Sequence, residues 1–259
     1  MSEGRFRRLE LEARKKPPTV PQTEDVGPEG CFRRAEGEYR EGNFENALRL
    51  YSRTLEMDRL MVEAWRRQVL MLVEVGEYDE AALWADKALE VFPDDPELVA
   101  VKAMAQCRAG DSTGALLLAD RALRMPGTSP LRWLARGEVF LARRDGNHDH
   151  CFRMAAGECP GDWLVEMQIG RAYSRHGLLS PALEHFRRAL DLEPTAVYVL
   201  LEAARCEQQL GLGWRAKRSL EEVVRLRPGH LEAQRELTAL RAGGFGRQVK
   251  GFFRRLLGR

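Results

Sequence analysis

The sequence predicts an all-α fold, a solenoid of stacked helical hairpins, and three observations predict it. Glycine, alanine and proline recur at a period of 34 residues along most of the 259-residue chain. In the clearest periods, two runs with apolar residues at helical spacing are parted by a glycine, and the second run is closed by a proline. Charged residues make up 31% of the chain, above the usual quarter, which fits an extended body with a large wetted surface.

The elements follow in chain order. Residues 1–27 read as a flexible segment. Phe6, Leu9 and Ala13 give residues 5–16 only a thin apolar stripe, too little for a stable short helix, and Pro17, Pro18, Pro21 and Pro28 make a linker. The repeats start near Pro28, Val62, Pro96, Ser129, Trp163 and Val197. Gly42 and Ala47 mark the first copy, Gly76, Ala81, Ala88 and Pro93 the second, and Gly110, Ala115 and Ala122 the third. The fourth slips by one residue and puts His148 and Asp149 around the expected alanine, so it reads as degenerate, strained or partly open. Gly177, Ala182 and Pro194 mark the fifth copy, and Gly211, Ala216 and Pro228 the sixth.

The fifth copy shows why each period is a hairpin. Trp163, Ile169, Ala172 and Tyr173 share one helical face, and Ala182, Leu183, Phe186, Ala189 and Leu190 share another. Gly177 lies between them, where a residue with positive φ ends a helix. Gly170 and Ala182 let the two helices approach, and Tyr173 and Phe186 fill the remaining space. One hairpin cannot bury both its faces, so copies must stack on their neighbours. Residues 230–242 continue the helical period with charge on the outer side and read as a capping helix, which makes 28–242 one solenoid. Gly243 and Gly244 then break the helix.

Gly170, Tyr173, Ala182, Phe186, Ala189 and Pro194 resemble the tetratricopeptide repeat signature at its own spacing. Trp65, Gly76, Tyr78, Ala81, Ala88 and Pro93 resemble it nearly as well, and the resemblance runs over about residues 28 to 230. Thr54 departs from it, standing where a small apolar residue is expected. The resemblance implies a right-handed solenoid and a non-enzymatic scaffold or adaptor that binds partner proteins along its concave wall.

The chemistry of the side chains supports the same conclusion. There is no G-x-x-x-x-G-K-[ST] or H-E-x-x-H, and the glycines recur because the repeat turns need them, so catalysis and cofactors are not expected. His148, His150, Cys151 and Cys159 are the side chains that zinc prefers, but their spacing on a helix scatters them, and no metal is expected. The 41 basic residues nearly balance the 39 acidic ones, so the chain is no polycation for nucleic acid. Five cysteines without paired spacing read as reduced thiols. No stretch is apolar enough for a signal peptide or membrane span, and the expected location is cytoplasmic.

The family's concave wall is made by the first helix of each copy. Carrying those positions over gives Met167, Arg171 and Arg175 in the fifth copy, and Tyr198, Leu201 and Arg205 in the sixth. Three guanidiniums beside apolar groups suit carboxylates, so the expected partner is a protein or peptide with an acidic-apolar segment. The family's carboxylate clamp for chaperone tails needs Lys and Asn, but Phe32, Glu36, Arg67 and Glu97 stand at the matching positions, which disfavours that ligand.

After the glycine break, Val249, Phe252, Phe253, Leu256 and Leu257 form a complete helical stripe. Arg247, Lys250, Arg254, Arg255 and Arg259 take the other positions, and without them the chain carries −3 rather than +2. Residues 243–259 therefore read as a basic amphipathic tail for docking on an anionic membrane surface, on a partner, or back on the last repeat. The alternative function is a peripheral membrane-associated assembly factor attached through this tail. Nucleic acid is set aside, because the patch is short and has no aromatic platform.

Overall fold

The structure, a computed structural model, describes residues 27–241. Twelve helices there pair into six hairpins. The first copy is α1 (Pro28–Arg40) and α2 (Phe44–Met57), the second α3 (Val62–Val75) and α4 (Tyr78–Val91), the third α5 (Pro96–Arg108) and α6 (Ser112–Arg124). The fourth is α7 (Pro130–Ala142) and α8 (His148–Glu158), the fifth α9 (Trp163–Arg175) and α10 (Leu179–Leu192), the sixth α11 (Val197–Gln209) and α12 (Gly213–Leu226). A last helix, α13, covers residues 231–241. No strand occurs among the described residues.

Local sequence sets the ends of these helices. Asp95 caps α5 by accepting the Leu98 amide at 2.8 Å, with Pro96 at the first helical position, where its missing N–H costs nothing. Asp111 and Asp162 cap α6 and α9 in the same way. The turn inside each hairpin needs a left-handed residue, supplied by Gly42, Gly76, Gly110, Gly177 and Gly211. In the fourth copy Arg144 takes that conformation instead, with φ 55°.

Consecutive helices pack on one another throughout, and the first helices line up along the inner side: α3 on α5, α5 on α7, α7 on α9, α9 on α11. Within the fifth hairpin the helices approach closely at Gly170, where an added Cβ would strike the Phe186 ring. Gly137 and Phe152 repeat this contact in the fourth copy. That copy, expected to be strained or open, is a closed hairpin with Phe152 and Cys151 buried, although α8 has only 11 residues. Thr54 is fully buried, its hydroxyl donating to the Leu50 carbonyl at 2.9 Å, which accommodates a polar group at an apolar position.

The core is a continuous layer between the helix rows, and it includes Tyr39 and Tyr51 of the first copy together with Met167, Ile169 and Phe186 of the fifth. A separate cluster, Val197, Leu200, Leu201, Leu220, Ala233 and Leu237, seats α13 on the sixth copy. No described helix is long and apolar enough to cross a membrane. The tail residues Val249 to Leu257 lie outside the described residues.

Candidate functional site

The inner wall brings together charges that the repeat spacing places in register. Glu74, Arg108 and Arg175 hold the same position in the second, third and fifth copies, so stacking sets opposite charges side by side. Arg108 donates from Nε to Glu138 at 2.7 Å, from Nη1 to the Val73 carbonyl at 3.0 Å and from Nη2 to Glu74 at 3.3 Å. Arg175 reaches Glu138 at 3.3 Å and Glu74 at 3.7 Å. Arg171 ion-pairs with Glu74 Oε2, a charge contact without an aligned hydrogen bond. The two carboxylates are 6% and 2% exposed, so the network is interior.

Burial alone would push both carboxyls up. For Glu74 the surrounding Arg171, Arg108 and Arg175 outweigh it and hold the carboxyl at about 2. For Glu138, Arg108 and Arg175 do the same, again to about 2. Burial also raises the Cys107 thiol to about 12, with Glu138 adding to the effect, so this cysteine stays an inert thiol.

The first hairpin closes over this wall. The Phe44 ring meets Tyr198 edge-on, centroids 5.4 Å apart at 82°. The Arg171 guanidinium lies 4.5 Å from the Phe44 centroid and 5.5 Å from that of Tyr198. Gln168 donates its side-chain amide to the Tyr39 hydroxyl, and Arg227 Nη1 donates to Glu41 at 2.8 Å. Gly42 is required here twice, because its φ is +78° and because a Cβ would collide with the Tyr198 ring.

Each expected groove residue has a place in this arrangement. Arg171, Arg175 and Tyr198 come together on the closed wall. Met167 is fully buried in the main core, and Leu201 sits in the cluster under α13, so neither lines an open groove. Arg205 turns away to Glu202 at 2.7 Å, and to Glu232 at 2.6 Å and Glu236 at 3.5 Å on α13. Carboxylates reach Arg171 and Arg175 from the second and fourth copies and Arg205 from α13, which a copy-by-copy reading does not reveal. Phe44, Gly42 and Glu138 are the participants that reading missed. The shared repeat position of Glu74, Arg108 and Arg175 was the available signal for part of the network.

The zinc-type side chains disperse. His148 Nδ1 lies 2.7 Å from the Asp145 carbonyl, His150 stands edge-on to Trp133, and Cys151 is buried. Among the described residues, no three His, Cys, Asp or Glu gather in a metal-binding group.

Comparison with known proteins places this architecture. Residues 32–97 match the family model described as "Tetratricopeptide repeat". The chain is 25% identical over 168 residues to human "Superkiller complex protein 3", covering 63% of this chain and 11% of that protein. It is 22% identical over 163 residues to "Anaphase-promoting complex subunit 3" of Schizosaccharomyces pombe, covering 62% of this chain and 24% of that one. This chain thus spans a quarter or less of the curated relatives it matches. A solved tetratricopeptide repeat protein from Parabacteroides merdae is similar in fold, with a TM-score of 0.52 at 16% identity, covering 90% of this chain and 89% of that one.

Proposed function

The chain is a tetratricopeptide repeat solenoid, and from that premise we propose that it scaffolds a partner carrying an acidic-aromatic segment, which exchanges with the first hairpin on the inner wall. Proteins of this family are protein-interaction scaffolds. The observation that carries the reading is Arg171, whose guanidinium sits against the Phe44 and Tyr198 rings and against Glu74. The wall selects an aromatic ring beside a carboxylate, and in this conformation the chain's own groups satisfy it.

Magnitudes make the exchange feasible. The Phe44–Tyr198 pair contributes about 0.5–1.5 kcal/mol beyond its area, and the cation–π contacts about 0.5–2 kcal/mol. The exposed Glu41–Arg227 pair adds about 0–1 kcal/mol and the Tyr39–Gln168 bond about 0.5–1.5 kcal/mol. A partner of micromolar affinity supplies about 8 kcal/mol, enough to open these contacts and still bind. A synthetic peptide of residues 38–48 serves as the probe. It should bind the Phe44→Ala protein at least fivefold more tightly than the unaltered chain, and lose that gain when Tyr198→Ala is added. Equal affinity for all three proteins would remove the exchange reading.

The sequence of the tail favours a second reading, peripheral attachment to an anionic membrane. Each base near such a surface is worth about 1 kcal/mol and each buried Phe or Leu about 1.5–3 kcal/mol, against ordering costs of about 1–2 kcal/mol per residue, which gives weak, reversible binding. The full chain should co-sediment with phosphatidylserine vesicles, and the F252E/F253E chain should not. Identical sedimentation of the two ends that reading.

A further inference from the structure

The outer face of the last two copies carries a second feature, unrelated to the inner wall. A cleft of about 700 Å³ opens between α10 and α12. Leu200 and Glu207 of α11 lie at its base, Arg187 comes from α10, and Trp214, Arg215 and Arg218 come from α12. Trp214 is 66% exposed.

Repeat register shows that this tryptophan does not serve stacking. The position of Trp214 is held by Glu45, Asp79, Thr113 and Ser180 in four other copies, all polar side chains suited to solvent. The preceding position, which is Phe44, Tyr78 and Leu179 in three of them, is Gly213 here. The sixth copy has moved its aromatic group one residue, from the packed side to the open side. A large exposed aromatic group at a place where the fold asks for a polar residue costs solubility and contributes nothing to the core.

The charges around it are unbalanced. Glu207 is 5% exposed, accepts from the Ser219 hydroxyl at 3.0 Å and meets Arg187 at 3.7 Å. Glu222, on the rim, is held by Arg225 at 2.5 Å. Among the described residues neither Arg215 nor Arg218 has a carboxylate within 4 Å, unlike Arg66, Arg67, Arg108, Arg136, Arg171 and Arg175, although Arg218 acts at longer range on Glu222. The Arg215 guanidinium lies over the Trp214 ring, 5.1 Å from its centroid, a cation–π contact that uses none of its N–H donors on a carboxylate. The cleft thus offers one apolar floor, one aromatic wall and two uncommitted guanidinium forks.

We propose that this cleft is a docking site for an acidic peptide segment with a single aromatic or aliphatic anchor, the anchor lying on Trp214 above Leu200 and flanking carboxylates taken by Arg215 and Arg218. Arg and Trp are the side chains that dominate such sites, and paired guanidinium–carboxylate contacts fix the direction of the bound chain. The site is separate from the inner wall and does not depend on the exchange proposed there.

The test uses the full-length chain and a fluorescently labelled peptide, acetyl-Glu-Asp-Glu-Phe-Glu-Asp-amide, with its Lys-for-acid counterpart as control. The acidic peptide should bind saturably and more weakly as salt rises, and the control should not bind. Trp214→Ala and the pair R215E/R218E should each weaken binding at least tenfold, and Leu117→Ala, at an exposed position of α6 remote from both sites, should leave it unchanged. The first three positions lie on the surface of α12, and unaltered thermal melting would confirm that each variant is folded. Absence of binding, equal binding by all the variants, or a response to Leu117→Ala alone would overturn the proposal. A chain that instead self-associates through this face, dissociating on Trp214→Ala without peptide, would overturn it as well.

Discussion

Glu74 and Glu138 set how the protein answers acid. Both are interior carboxylates whose burial cost is outweighed by Arg108, Arg171 and Arg175, and both are held at about 2 against 4.5 when free. A carboxyl depressed on folding contributes stability above its unfolded pKa and loses it as pH falls through the folded one. The stabilisation should therefore be complete above pH 4.5 and disappear between 4.5 and about 2. One pKa unit corresponds to about 1.4 kcal/mol, so two such groups amount to a few kcal/mol, shared within one coupled network. Urea midpoints measured from pH 6 to 2.5 should fall steeply in that window, and Glu138→Gln should flatten the fall while lowering stability at neutral pH. A midpoint that falls equally steeply in the variant would assign the acid sensitivity to other carboxylates.

At the scale of the helix, most of the hairpins could be read in advance. Gly170 facing Phe186 and Gly177 at positive φ follow from spacing alone, because each depends on residues within one copy. The fourth copy closes although its alanine markers fade. The Gly137–Phe152 contact that holds the hairpin shut survives, and Arg144 accepts the left-handed turn that glycine takes elsewhere. The inner wall was half legible. Repeat phase identifies Arg171, Arg175 and Tyr198 as wall residues, since phase fixes which way a helical residue points. Phase does not fix how far copies one and five lie apart, because that distance sums small rotations over four interfaces. Phe44, Glu41 and Gln168 therefore gave no sign of meeting across the wall. Trp214 was legible in principle, being an aromatic residue out of register with its four counterparts.

At the scale of the whole chain, closure changes how disturbance travels. In an open solenoid each copy touches only its neighbours, so a change in the sixth copy should be felt by the fifth and by α13 and no further. Here Tyr198 on α11 packs against Phe44 and Gly42 of the first copy, and Arg227 after α12 pairs with Glu41. These contacts join residues more than 150 positions apart and tie the two ends together. Tyr198→Ala removes an edge-on aromatic pair and one of the two rings against Arg171, together about 1–3 kcal/mol. That energy belongs to the first hairpin as much as to the sixth. Amide exchange in residues 28–57 should therefore accelerate roughly 5- to 100-fold in this variant, each 1.4 kcal/mol being a factor of ten in the opening equilibrium. Residues 96–124, which make none of the closing contacts, should exchange as before. If acceleration were confined to residues 163–241, the ends would be energetically independent and the closed wall a matter of proximity only. If it skipped the third copy and appeared in the first, the disturbance would have crossed the wall directly, as an aromatic latch between the ends requires.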